Sequence, residues 1–143
     1  MLYGRGGGAT PTFLLDNARK RNVAWYIDAG RQRCSVGHVE ELARLTVLSV
    51  EQFPSYRVFN AVAEALSLRE VAEVIAQATQ VRGGAQSIAE TAAQSAWGSF
   101  WTATLARNLW LSSTRAESML GWKPSAPSFK DDLLSGSYQE QHS

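Results

Sequence analysis

Four of the five residues from Gly4 to Gly8 are glycine, and the stretch Tyr3-Gly4-Arg5-Gly6-Gly7-Gly8-Ala9-Thr10-Pro11 leads straight into a helix-like pattern. Gly4 to Ala9 fits the spacing G-x-G-x-x-A of a dinucleotide-binding loop, whose backbone approaches a pyrophosphate. Asp28 closes the apolar run Val23-Ala24-Trp25-Tyr26-Ile27, about twenty residues on, where such a fold places its ribose-binding acid. A chain using Gly4, Gly6 and Asp28 in this way would be a complete small dinucleotide-binding protein. That fold needs a full buried strand before its loop, and Met1-Leu2-Tyr3 is all that precedes this one. The alternative is a flexible loop where the chain leaves a strand and comes close to a ligand or another backbone.

The 143 residues suit one domain or part of a larger one, and a 45% hydrophobic fraction with 19% charged residues describes a globular chain that can bury a core. A formal net charge of +1 offers no footprint for nucleic acid or for an acidic membrane. The single cysteine, Cys34, excludes an internal disulfide and leaves a thiolate metal cage short of ligands. No apolar run reaches the roughly 18 residues of a membrane span, and no signal-peptide pattern opens the chain, so a reducing cytoplasmic setting is expected.

Local signals divide the chain finely. Thr10-Pro11 predicts a helix start and Arg19 to Asn22 its end, with Phe13, Leu14 and Ala18 facing inward. Trp25-Tyr26-Ile27 and Arg33 to Gly37 are strand candidates. Val39 to Glu51 reads as a helix burying Val39, Leu42, Ala43, Thr46, Val47 and Val50, stopped by Phe53-Pro54-Ser55. Arg57 to Val62 is expected to be a strand. Ser67-Leu68-Arg69-Glu70 and Ser87-Ile88-Ala89-Glu90 read as capping boxes, the first opening a helix with Val71, Val74, Ile75 and Ala78 on one side. Ser112 to Leu120 is a short helix closed by Gly121, Ser128 to Asp131 caps a last helix ending at Gly136, and 137–143 reads as a frayed polar tail.

Four stretches carry a family likeness over residues 1–136. Tyr3-Gly4-Arg5-Gly6-Gly7-Gly8 resembles the turn after the sixth strand of the extended short-chain dehydrogenases/reductases, the NAD-dependent epimerase/dehydratase family. "GRQRCSVGHVEELARL" is similar to the segment around their His-Val-Asp-Asp-Leu-Ala signature, with Glu40 and Glu41 standing where acids are usual. "VFNAVAEALSLREVAEVIA" resembles their Phe-Asn strand and following helix, and "SSTRAESMLGWKPSAPSFKDDL" their closing Leu-Gly-Trp-x-Pro corner. The resemblance implies an α/β fold: the C-terminal, substrate-binding part of a Rossmann-type enzyme, here mostly helical with a few short strands. It implies NAD or NADP and a small-molecule substrate for the intact enzyme, with none of the cofactor expected on this chain alone. It also places Val58-Phe59-Asn60 at the edge of a large parallel sheet built mainly by the other half.

The family's acid–base pair, Tyr-x-x-x-Lys, is not found. The fourth residue after Tyr3 is Gly7, after Tyr26 Gly30, after Tyr56 Asn60 and after Tyr138 His142. No catalytic residue and no metal ligand is therefore assigned. The resemblance sets Tyr3 and Gly4 beside the cofactor and Arg5 beside the substrate. Arg33 stands near a family arginine that binds substrate diphosphate, but five residues before His38 where the family has four; one strand step reverses the facing side, so a surface arginine is the alternative. Trp97 and Trp101, with Phe100 and Trp110, could line a hydrophobic substrate pocket or belong to the core. His38 reads as a buried packing or capping residue, and Cys34 as an inert thiol.

Three functions follow. The first is a partial NAD(P)-dependent epimerase, dehydratase or reductase that supplies the substrate-binding half and is inactive alone. The second is a non-catalytic module docking on the missing half or on a partner chain. The third is the small dinucleotide-binding protein.

Overall fold

The computed structural model describes residues 1–52 and 58–139. The expected helix stop at Phe53-Pro54-Ser55, the start of the strand at Arg57, and the end of the tail with His142 lie outside the described residues. The remainder is a mixed α/β arrangement, mostly helical, with short strands.

After β1 (Leu2–Tyr3) and the glycine loop, α1 (Ala9–Arg21) begins two residues before Pro11. Proline is tolerated there because first-turn N–H groups have no helical partner. Arg19, Lys20 and Arg21 sit at the negative end of the helix dipole, and left-handed Asn22 closes it. β2 (Ala24–Ile27) and β3 (Arg33–His38) follow, and β3 runs directly into α2 (Val39–Gln52). β4 (Glu64–Ser67) likewise runs directly into α3 (Leu68–Thr79), where Ser67 and Glu70 form the reciprocal capping box expected of them. β5 (Ala85–Ile88), α4 (Glu90–Ala106, broken at Gly98), α5 (Thr114–Leu120) and α6 (Phe129–Ser135) complete the described chain.

The strands form two separate sheets. One has the order β1-β3-β4, with β1 parallel to β3 (Tyr3 opposite His38) and β4 antiparallel to it (Arg33 opposite Ser67). The other pairs β2 with β5 in parallel, Ala24 opposite Ala85 through Ile27 opposite Ile88. α3 sits at the centre of the main core: its Leu68, Val71, Ala72 and Ile75 are buried, and it packs on α1, β2, β5 and α6. A smaller core gathers Leu45 of α2, Ala116 and Leu120 of α5, and Trp122.

Four expectations are corrected. Residues 58–62 carry no strand, and the strand lies later, at Glu64–Ser67, antiparallel to β3 and outside any large parallel sheet. Side chains serve the earlier segment instead: Arg115 donates to the Val58 carbonyl, and Asn60 donates to that of Ser112. Ser87 does not cap a helix; it lies in β5 and its hydroxyl donates to the Asp28 carbonyl, while α4 starts after Ala89 without a side-chain cap. The tail is bound as far as it is described, with Tyr138 buried.

The fourth correction concerns α2. Its inner side is Glu41, Leu45 and Leu48, and the expected inner residues Leu42, Ala43, Thr46, Val47 and Val50 are exposed. Periodicity treats a glutamate as solvent-facing, yet Glu41 is fully buried because it is used as an acceptor. One carboxylate oxygen takes the Ser125 N–H at 2.7 Å, the Ala126 N–H at 2.6 Å and the Arg44 guanidinium at 3.1 Å. That grip rotates the helix so that its more apolar side faces out.

The capping box gives a pH-dependent prediction. Glu70 receives Ser67 backbone and hydroxyl hydrogen bonds, which hold its carboxyl below the usual range. A carboxyl depressed in the folded state contributes fully above its unfolded pKa and loses that contribution as pH falls through the folded value. Ser67→Ala should lower stability by about 1 kcal/mol at pH 7. In denaturant melts between pH 7 and pH 3 the variant should lose less stability than the parent; equal losses would refute the role given to Glu70.

Candidate functional site

The glycine loop is where both ends of the described chain meet. Tyr3 ends β1 fully buried, its ring edge-on to His38 (centroids 5.1 Å) and to Phe129 (5.4 Å), and its hydroxyl donates to the Pro127 carbonyl at 2.7 Å. Gly4 then turns with φ 114°, and a Cβ there would lie 2.6 Å from Nε2 of His38. Glycine is required because the imidazole is pressed against the backbone.

A clasp closes over the loop from the C-terminal side. The Gly4 N–H donates to the Tyr138 hydroxyl at 3.1 Å, and that hydroxyl donates to the Gly7 carbonyl. The Gly6 N–H donates to the Ser137 hydroxyl at 2.8 Å, and the same hydroxyl donates to Asp132 at 3.1 Å. Asp132 also accepts the Ser137 N–H at 2.9 Å and stands 3.8 Å from His38 Nε2, both side chains being buried. His38 Nδ1 accepts the Glu40 N–H at 3.2 Å, so His38 caps the first turn of α2. At the tip of the loop, exposed Arg5 pairs with Glu40 at 3.0 Å.

This electrostatic setting suits structure more than proton transfer. Burial raises the Tyr3 phenol well above its ordinary range, and the negative charges of Glu64, Asp132 and Glu41 add to the shift. Burial also raises Tyr138, with Asp132 adding and the Gly4 N–H opposing. An acid–base tyrosine works best with its pKa drawn toward the working pH, and these two move away from it. Burial likewise raises the Cys34 thiol. Cys34 and His38 lie four residues apart on β3, about 13 Å along a strand, too far for a nucleophile and its base.

The dinucleotide reading of the loop is overturned. β1 and β2 lie in different sheets, so Gly4, Gly6 and Asp28 do not belong to one β-α-β unit. The N–H groups of Gly4 and Gly6, which a pyrophosphate would need, are taken by Tyr138 and Ser137. Asp28 sits in a turn at φ 50° beyond β2.

The sequence-derived site residues fall in three places. Tyr3, Gly4 and Arg5 share the loop. Arg33 opens β3 at its far end, roughly 16 Å along the strand from His38, exposed and within electrostatic reach of Glu70. Trp97 and Trp101 pack with Phe13 of α1, Trp101 stacked on it at 4.0 Å, whereas Phe100 and Trp110 stand in solvent. Trp97 also borders a small apolar cavity with Leu14, Ala18, Val71 and Ile75. Asp132, Ser137 and Tyr138 were not found from sequence, although an aromatic residue inside a polar tail was a usable signal. Among the described residues no group of three or more His, Cys, Asp and Glu side chains could hold a metal ion, and no helix is long and apolar enough to cross a membrane.

The clasp can be tested directly. Tyr138→Phe strands the Gly4 N–H and the Gly7 carbonyl, and should cost about 1–3 kcal/mol. Hydrogen exchange at Gly4 and Gly6 should accelerate more than exchange in α3. Unchanged loop protection would show that the clasp does not hold it.

No family model matches the chain. An uncharacterized protein of Schizosaccharomyces pombe is 28% identical over 138 residues, covering 96% of this chain and 46% of the relative. The human epimerase family protein SDR39U1, solved with NADPH, superposes with a TM-score of 0.73 at 23% identity, covering 95% of this chain and 45% of that one. A UDP-glucuronic acid 4-epimerase from Bacillus cereus, solved with UDP-glucuronic acid and NAD, gives a TM-score of 0.64 at 14% identity, covering 99% and 44%. The chain spans less than half the length of these relatives. Its structural neighbours are NAD-dependent epimerase/dehydratase enzymes with Rossmann-type folds, and it shares the fold of part of such an enzyme.

Proposed function

We propose that this chain is the C-terminal, substrate-facing part of an NAD(P)-dependent epimerase, dehydratase or reductase, and that hydride and proton transfer are carried by residues outside it. The observation that carries the reading is the occupied glycine loop. Its Gly4 and Gly6 N–H groups are bonded to Tyr138 and Ser137, so the loop serves as a fixed lip and not as a phosphate cradle. The missing Tyr-x-x-x-Lys pair and the raised Tyr3 and Tyr138 phenols support the same division of labour. The solved neighbours hold NADPH or NAD in chains more than twice as long as the part matched here.

In this reading Tyr3 and Gly4 position the lip at the nicotinamide end of a cleft completed by the other half. Arg5, exposed and held by one carboxylate, offers a guanidinium to an anionic substrate. Arg33 stands apart from that lip, and Trp97 and Trp101 shape it only through the packing of α1. A second reading, a non-catalytic module that docks on a partner chain, draws on the exposed apolar side of α2.

Titration of the chain alone with NADH and NADPH, followed by nicotinamide fluorescence, should give no saturable signal. Adding the portion of the S. pombe relative outside its matched 138 residues should produce one. Tight binding by this chain alone would overturn the proposal. A complex that forms without binding either cofactor would favour the docking module.

A further inference from the structure

A cleft lies between α1, β2, α3 and the first half of α4. Leu14 and Ala18 of α1 and Val71, Ala72 and Ile75 of α3 give it aliphatic walls. Trp25 and Trp97 give it aromatic ones, their ring centroids 6.3 Å apart. Counted out to its mouth the void is about 310 Å³, the size at which small-molecule sites begin. Three lining residues are polar, Asn17, Arg21 and Trp97; each has N–H groups to donate, and no acid lines the cleft. Trp97 is buried, and its indole N–H has no partner among the described residues, a costly state for a donor withdrawn from water.

Of the residues lining the cleft, Arg21 is the exposed one. Its guanidinium carbon sits 5.0 Å from the centre of the Trp25 ring, its Nε donates to Asn17 at 3.1 Å, and one Nη donates to the Ala96 carbonyl at 3.0 Å. Both acceptors are neutral, and among the described residues no carboxylate lies within ion-pair distance of it. We propose that this cleft binds a small carboxylic acid with an apolar tail. The tail lies on the aliphatic and indole walls, and the carboxylate takes the Trp97 N–H and the Arg21 fork. A carboxylate is selected over a neutral acceptor because the charge of Arg21 is otherwise unanswered, and charge-assisted hydrogen bonds are roughly twice as strong as neutral ones. It is selected over a phosphate because the walls are apolar and a single cation lines them. The enclosed floor has room for about one water-sized group, so entry requires Arg21 to leave the Ala96 carbonyl and take the ligand's carboxylate instead. Arg21 ends α1, about 18 Å along the helix from the glycine loop at its start. Such a site is independent of the function proposed above.

The experiment titrates the 143-residue chain with hexanoate at pH 7, with hexanol as the uncharged control of equal tail length and acetate as the charge without the tail. Binding is read from the Trp97 indole N–H resonance in proton–nitrogen correlation spectra, identified by its loss in Trp97→Phe. Hexanoate should move that resonance saturably, and hexanol and acetate should bind about tenfold more weakly or less. Arg21→Gln should weaken hexanoate by about tenfold or more and leave hexanol unchanged. Because Arg21 is exposed, that variant should melt as the parent does. Three results overturn the proposal: a Trp97 resonance that hexanoate does not move, hexanol binding as well as hexanoate, or an Arg21→Gln chain that binds hexanoate as the parent does.

Discussion

Much of the structure depends on one buried carboxylate. Glu41 is withdrawn from water, a costly state for an ion unless hydrogen bonds replace its hydration. One of its oxygens receives two backbone N–H groups from the Ser125-Ala126 corner and the Arg44 guanidinium. The Glu41 carbonyl meanwhile accepts the indole N–H of Trp122, itself buried, at 3.1 Å. These contacts fasten the Leu-Gly-Trp-Lys-Pro segment onto α2 and create the second core. They also set the rotation of α2. With Glu41 inward, His38 falls where it caps the helix, Glu40 falls where it meets Arg5, and Val47 and Val50 point away from the chain.

The glycine loop illustrates how one spacing can serve two different physical ends. In a dinucleotide fold, glycines let a backbone approach a phosphate. Here Gly4 lets the backbone approach an imidazole, and Gly8 lets it approach a carbonyl: a Cβ at Gly8 would lie 2.4 Å from the Leu2 oxygen. The loop N–H groups then need acceptors, and the chain supplies them from Ser137 and Tyr138, more than 130 residues away.

That distance explains which features could be read from sequence. The Ser67–Glu70 box, the Ser128 cap, the Asn22 and Gly121 helix ends and the extents of α1 and α2 rest on residues within one turn of each other. Each was legible for that reason. The misplaced strand at 58–62, the reversed face of α2 and the bound tail depend on partners remote in the chain. A short apolar run such as Val58-Phe59-Asn60-Ala61-Val62 suits a strand or an extended connector equally, and contacts to Ser112 and Arg115 decide it. Family likeness drew attention to Tyr3, Gly4 and Arg5, which the structure places together in the glycine loop. Asp132 stayed hidden because it looked like one more first-turn acid of α6, and Tyr138 because it sits among polar residues.

The same remoteness bears on what the loop can do. Fixing Gly4 to Gly7 requires β1, the start of α2, the end of α6 and the tail to be in place together, so the lip acquires its shape only when the main core is complete. Such an element suits positioning. Its phenols are held neutral, its histidine is committed to a helix cap and a carboxylate, and its one exposed charge is Arg5. The loop is also coupled to the first turn of α2 through the Arg5–Glu40 pair, so a change that rotates α2 would move the loop with it.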